Sequence, residues 1–484
     1  MKKYFFILTL LIITFAVNAQ IIPDTLWTRT FGGGGNDIAY SVKQTTDGGF
    51  IIAGYTNSYG VGESDFWLVK TDLNGNEEWN QTYGGNELDR AHSVQQITDG
   101  GFIIAGYTNS FGLGYYDFWL VKTDENGNEE WNHTYGGVDL DRAYSVQQTT
   151  DGGFIIAGST ESYGAGNRDF WLIKTDENGN EEWNHTYGGD NLDMALSVQQ
   201  TTDGGYVIAG WGGDYGSYLL VKTDANGFEE WNQTYGDINL AIAQSVQQTT
   251  DGGYIIAGWI EIGTDNRKFY LVKTDANGIE EWDQIYSGGL FNTACSVKQT
   301  IDGGSILAGD TYSSETFSFD FWLMKTDEFG NEEWNQSYGG DGHDMAMSIQ
   351  LTTDGGYVIA GFSESYGAGG SDFWLIRLDQ EISIANNTIV ESLIPNLSNY
   401  PNPFNPTTTI SFSIPEESKV ELSIYNIKGQ KIKSLLSDQI SAGEHSIVWN
   451  GEDASGKIVS SGVYLYKLNV NGKTEIVKKC LLLK

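Results

Sequence analysis

The sequence predicts an all-β protein: a seven-bladed β-propeller followed by a small Ig-like β-sandwich. Three observations carry this. The octapeptide DGGFIIAG at 47–54 recurs with small changes from residues 99, 151, 203, 251, 302 and 354. Each recurrence sits in a unit of four strand-like runs, and no stretch shows a sustained helical period. The charge balance also changes along the chain. Gln20 to Asn396 holds 15 basic and 56 acidic residues, whereas Leu397 to Lys484 holds 10 and 8.

In chain order, MKKYFFILTLLIITFAVNA places two lysines before an apolar run and small residues after it. This is the layout of a secretory signal peptide, with the cut expected after Ala19. The mature chain is then exported and carries no membrane span. The run is short for an anchor helix, and no Cys follows it to take a lipid.

One unit runs from Ala91 to Gly137. AHSVQQI is its first strand, GFIIAGY its second, DFWLVKT its third and EEWNHTY its fourth. Asp-Gly-Gly and DENGN supply the tight turns, which need residues tolerant of positive φ. The seventh unit ends at DFWLIRLDQ, residues 372–380, with no fourth strand. LWTRTFGG at 26–33 matches EWNHTYGG, so an N-terminal strand is expected to complete the last blade and close a ring over 20–380. An open solenoid would have no reason to split one unit across its ends. Residues 381–396 read as a linker, and 397–484 as the second domain.

The fourth-strand tryptophans, from Trp27 to Trp334, recur with a regularity that favours packing between blades over sugar stacking. LVKTDENGNEEW at 120–131 resembles the tryptophan-docking hairpin of quinoprotein-type propellers, without the residues that would hold a quinone. The tail carries YPNPFNP at 400–406, VELSIYNIKGQKI at 420–432, AGEHSIVWNG at 442–451, SSGVYLYKL at 460–468 and a closing KKCLLLK. These features resemble the type A sorting domain of the type IX secretion system, and the same pattern is similar to the Ig-like fold of a flagellar hook-capping protein. The first resemblance implies a translocon as partner, and the bacterial surface or medium as destination.

The formal charge of −37 disfavours nucleic acid and anionic membrane as partners. Cys295 and Cys480 are too few for a disulfide scaffold and are expected to be buried thiols. No catalytic motif with a nucleophile, a zinc site or a phosphate loop occurs. No cofactor is expected, with calcium as the one candidate. The loop before each first strand carries Asp37, Asp89, Asp141, Asp193 or Asp344, replaced by Ala241 and Asn292 in blades five and six. Such a ring could hold a cation, or each Asp could bond its own loop.

Where blades depart from the repeat, a ligand is the sharper explanation and drift the plainer one. Blades four to six depart most in the loops between strands two and three. Trp211, Trp259 and Asp310 stand at the ends of their second strands, with Asp214 and Asp265 nearby. These five are the candidate ligand-binding residues, on the face bearing those loops. The expected function is that of an exported, surface-attached or released non-catalytic binding or scaffold module, with surface glycans or proteins as candidate partners. The alternative is an enzyme acting on extracellular polysaccharide.

Overall fold

The structure, a computed structural model, describes residues 22–381 and 397–483, apart from 214, 215, 237–239, 264, 265, 401, 403, 415–417, 427, 442 and 472. The expected signal peptide, most of the expected linker, Asp214 and Asp265 lie outside the described residues. Among the described residues no helix is long and apolar enough to cross a membrane.

Residues 22–381 fold into seven four-stranded antiparallel sheets. In the first, Asp37–Gln44, Phe50–Thr56, Asp65–Thr71 and Glu77–Tyr83 follow one another from the inside outwards. Five more sheets repeat this order. The seventh takes its outer strand from the other end of the unit: Thr25–Phe31 pairs with Asp372–Leu378, in register from Phe31 opposite Phe373 to Thr25 opposite Leu378. Each inner strand touches the next, and the seventh, Asp344–Leu351, touches the first. This closed ring of blades is a β-propeller.

The recurring residues build this frame. Gly48 has φ +87°, which L side chains avoid, and a Cβ on Gly49 would collide with the Thr71 carbonyl oxygen. Between them they let Asp47 reach a buried ammonium. Lys70 Nζ donates to Asp47 Oδ2 at 2.8 Å, Glu78 Oε2 at 2.8 Å and the Thr71 carbonyl at 2.9 Å, so all three of its donors are satisfied. The knot joins the first hairpin, the third strand and the fourth. Lys122, Lys174, Lys222, Lys273 and Lys325 make the same pair of carboxylate contacts in blades two to six. In blade seven Leu26 stands where the others have the second Glu, and Arg377 replaces Lys. Its Nη2 meets both oxygens of Asp354 at 2.6 Å, so one carboxylate suffices.

Blades are joined by three further series. Six of the fourth-strand tryptophans dock on the turn of the next blade: a Cβ at Gly127 would lie 2.7 Å from the Trp79 ring, and one at Gly75 2.7 Å from Trp27, whereas Trp334, facing the split blade, donates to Glu381 Oε1 at 3.2 Å. The third-strand tryptophans are buried and meet a Phe of a neighbouring blade, as Trp119 meets Phe66 at 4.5 Å. On the inside, Ser41 Oγ accepts the Val94 N–H at 3.3 Å, and the same bond recurs at Ser93, Ser145, Ser197, Ser245 and Ser348.

Residues 397–483 form a separate unit of two sheets, one of three strands and one of four. Phe404, Ile410, Phe412, Leu422, Trp449, Tyr466 and Leu482 fill its core. The YPNPFNP stretch and the chain end hold each other, because Phe404 N donates to the Leu481 carbonyl and Leu483 N to that of Phe404.

Two predictions follow from closure and from the knot. Deleting residues 22–33 removes Trp27 and Phe31 from the first–seventh blade interface and bares the Asp372–Leu378 edge. The loss should exceed about 4 kcal/mol, and a melting curve like that of the intact chain would contradict ring closure. Arg377→Lys should cost about 1–2 kcal/mol, and adding Leu26→Glu should recover most of it by recreating the knot of the other six blades. Additive single-variant effects in denaturant titrations would show that the two positions do not communicate.

Candidate functional site

Every inner strand carries a β-bulge at one equivalent place, between Ala39 and Ser41 in blade one. The other six lie at 91/93, 143/145, 195/197, 243/245, 294/296 and 346/348. A bulge inserts one unpaired residue and re-aims its side chain. Here the extra residues are Tyr40, His92, Tyr144, Leu196, Gln244, Cys295 and Met347, each half-buried on the space the ring encloses. The alanine before and the serine after are the same in every blade, whereas these seven are nearly all different. The symmetry of the frame is broken most sharply along the central channel.

The first three blades make one cluster. Tyr40 stacks on His92 with ring centroids 4.3 Å apart, and His92 meets Tyr107 at 5.3 Å and Tyr144 edge-on at 5.0 Å. Arg90 lies over the Tyr55 ring at 4.3 Å, and Arg142 over that of Tyr116 at 4.8 Å. Burial, reinforced by these two guanidiniums, lowers His92 to about 3, so its imidazole is neutral. Nearer the Asp-Gly-Gly turns a further layer holds Lys43, Gln95, Gln147, Gln199, Gln247, Lys298 and Gln350. Burial, with Lys43 nearby, lowers the Lys298 ammonium to about 7.

The basic residues of this strongly acidic unit are therefore unevenly used. Seven of the 15 are tied into the blade knots. Arg90, Arg142, Lys43 and Lys298 face the channel, and none of them forms a carboxylate ion pair among the described residues. Sequence reading missed this layer. Its signal was a position that varies within an A-x-S-V-x-Q run kept by six blades and written AMSIQL in the seventh.

Of the candidate ligand residues, the structure brings Trp259 and Asp310 to Arg267, whose guanidinium lies over the Trp259 ring at 4.3 Å and acts on Asp310. Trp259 is only 5% exposed, so its indole offers no open stacking face and belongs to the packing. Truncating it should cost about 3–5 kcal/mol. Trp211 is half-buried, with Nε1 sealed and without a hydrogen-bond acceptor. Asp310 is 1% exposed, and neither carboxylate oxygen has a hydrogen-bond partner. Burial raises it to about 8, against the pull of Arg267, so at neutral pH it is mainly a protonated carboxyl and not the free acceptor expected.

The acidic ring is used within the loops. Asp37 Oδ2 accepts from Gly33 N at 2.9 Å and Ser58 Oγ at 2.6 Å, and Asp89, Asp141 and Asp344 repeat both bonds. Asp193 accepts from Gly189 N and Gly213 N. Among the described residues no group of three or more His, Cys, Asp or Glu side chains is placed to hold a metal ion. A second series, Asp65, Asp117 and Asp169, starts the third strands. Burial, with Asp89, Asp141 or Asp193 of the next blade adding repulsion, lifts each to about 6. Both cysteines are free: Cys480 is buried, but Cys295 is half-buried because its bulge turns it to the channel. Two grooves, about 640 Å³ beside Tyr163 and Trp171 and about 570 Å³ beside Tyr366 and Trp374, repeat at equivalent places between blades and belong to the frame.

Residues 400–474 match the FlgD Ig-like domain. No curated protein matches the chain. Among solved structures, similarity extends to PorZ of Porphyromonas gingivalis, described as an essential bacterial surface component of the type IX secretion system. It is 13% identical, with a TM-score of 0.42, over 94% of this chain and 60% of PorZ. The β-propeller domain of the Trilobed protease from Pyrococcus furiosus is 12% identical over 75% of this chain and 100% of that domain, with a TM-score of 0.41. The polysaccharide lyase Uly1 is 9% identical over 72% of this chain and 90% of its own, with a TM-score of 0.43. The chain thus spans about 60% of the length of PorZ.

The shifted carboxyls set a pH profile. Asp47 and Asp251 sit at about 2, because hydrogen bonds from their threonine, lysine and glycine partners outweigh burial. Their stabilisation is full above the unfolded value near 3.9 and is lost as pH falls through about 2. Asp65, Asp117, Asp169 and Asp310 are shifted upwards, so their contribution is full below that value and is lost as pH rises through about 6 and 8. Thermal stability should peak near pH 4–5, and Asp310→Asn should flatten the decline towards pH 8. A melting temperature that climbs steadily from pH 4 to 8 would contradict these environments.

Proposed function

We propose that this protein is an exported binding or scaffold module without catalytic activity, whose ligand-selective surface is the central channel. In this reading the Ig-like unit is a type IX sorting tail, and the protein ends at the bacterial surface or in the medium. One observation carries the binding reading. The channel is where seven near-identical blades present different side chains, and it gathers unpaired cations and aromatic rings inside an acidic shell. Charge focused in a concave wall attracts and selects ligands. The tail reading is supported by the motif pattern of residues 400–484 and by the match to an Ig-like domain.

The second reading, an enzyme acting on polysaccharide, draws on the meeting of Arg90, His92, Tyr40 and Tyr144. Guanidinium, imidazole and phenol are groups that elimination from a uronic acid would use. Against it, His92 Nε2 is sealed from solvent with no partner, and a general base must reach the proton it removes. A screen of acidic polysaccharides for new unsaturated ends decides between the two readings.

Replacing Arg90 and Arg142 together by Gln should weaken adsorption to surface polysaccharide or partner cells at least about tenfold while moving the melting temperature by no more than about 3 °C. Unchanged adsorption would remove the channel from the function. Removing residues 397–484 should leave the propeller folded but hold it in the periplasm, and normal appearance outside the cell would end the sorting reading.

A further inference from the structure

We propose that the end of the channel nearest the Asp-Gly-Gly turns binds a small oxyanion, a carboxylate, sulfate or phosphate group, between Lys43 and Lys298. This rests on the channel reading above and names the chemistry of one end of it.

The layer concerned is a ring of amides broken twice. Gln95 Oε1 accepts the Gln148 N–H at 2.9 Å, and Gln147, Gln199, Gln247 and Gln350 do the same for Gln200, Gln248, Gln299 and Gln44 at 2.7, 2.6, 2.9 and 3.1 Å. A backbone N–H can meet only the oxygen of an amide, which fixes the orientation of each one. With Oε1 committed to the neighbouring blade, the NH₂ group is the part left to donate. At two places the amide is replaced by an ammonium, which cannot accept at all: Lys43 in blade one and Lys298 in blade six. The layer therefore offers five amide NH₂ groups and two lysine amino groups, while each amide oxygen already holds a backbone N–H.

Among the described residues no carboxylate pairs with either lysine. The acidic residues nearest in sequence are Asp47 and Asp302, and Lys70 and Lys325 hold them. The charged group that acts on Lys298 is Lys43, a like charge. Elsewhere in this unit six lysines are each given two carboxylates, and Lys268 donates to Ser287 Oγ and the Gly289 carbonyl, so two lysines left without such partners on the same space are an exception with a cost. Two like charges in a donor-lined layer leave an external anion as the partner that relieves them. An oxyanion has oxygens enough to accept from several donors around a ring, which a single-atom halide matches less well.

The test uses the frame's own solution. Lys43→Gln with Lys298→Gln completes the amide ring, so this variant should fold and should melt higher than the natural protein in the absence of added anion. Melting is followed with sulfate, phosphate and citrate, each raised to 20 mM against sodium chloride at constant ionic strength. The natural protein should gain about 3 °C where an anion reaches a hundredfold excess over its dissociation constant, and the double variant should gain less than about a third of that. Arg168→Gln, which alters a guanidinium paired with Glu161 outside this layer, should respond like the natural protein. No gain with any of the three anions overturns the site, and so does an equal gain in the double variant. If the Arg90 and Arg142 variant loses adsorption while no anion shifts the melt, the binding reading stands and this site falls.

Discussion

A lysine ammonium taken out of water and given three acceptors from three strands is the contact on which the rest of this molecule depends. Burying an amine without partners would push off its proton or unfold the blade. Burying it with Asp47, Glu78 and the Thr71 carbonyl ties the first hairpin to the third and fourth strands at one point. That single geometry explains why the chain repeats Asp-Gly-Gly, Lys-Thr-Asp and Glu-Glu-Trp as a set. The first glycine supplies the turn, the second removes a Cβ in the way, the aspartate and glutamate supply charge, and the tryptophan beside the glutamate docks on the next blade. Six copies of this knot and an arginine version in blade seven give seven rigid plates, and plates of one shape close into a ring.

Much of this was legible in the sequence because a repeat acts as its own alignment. The strand order, the shared last blade and the docking tryptophans followed from residues that do not change. The channel was not legible, for a physical reason. A strict alternation of inward and outward residues places Ala39, Ser41 and Lys43 on one face, whereas the bulge between Ala39 and Ser41 breaks that alternation. It turns Tyr40 and Lys43 together towards the channel and Ser41 towards the next blade. Without the bulge the two lysines read as ordinary solvated side chains.

The surroundings of the candidate ligand residues were hidden for a related reason. Trp211, Trp259 and Asp310 are unusual for their repeat position, and the sequence shows the anomaly without showing its neighbours. Arg267 is anomalous too, and over Trp259 it makes the pair a local compensation within blades five and six. The loop aspartates differ again. Their recurrence was visible, but the serine hydroxyl that each of four meets, 21 residues further on, was not.

The bulge also bears on how such a molecule can change over generations. A residue outside the hydrogen-bond ladder is the cheapest one to exchange, because no strand partner depends on it. Seven such positions, one per blade, amount to seven independently writable places around a single well. Duplication can add or copy plates without disturbing what has been written there. The chain carries Tyr, His, Tyr, Leu, Gln, Cys and Met at those places while the surrounding alanine and serine stay fixed. A scaffold of this kind can acquire a new specificity by point substitution at a spot where stability is hardly at stake.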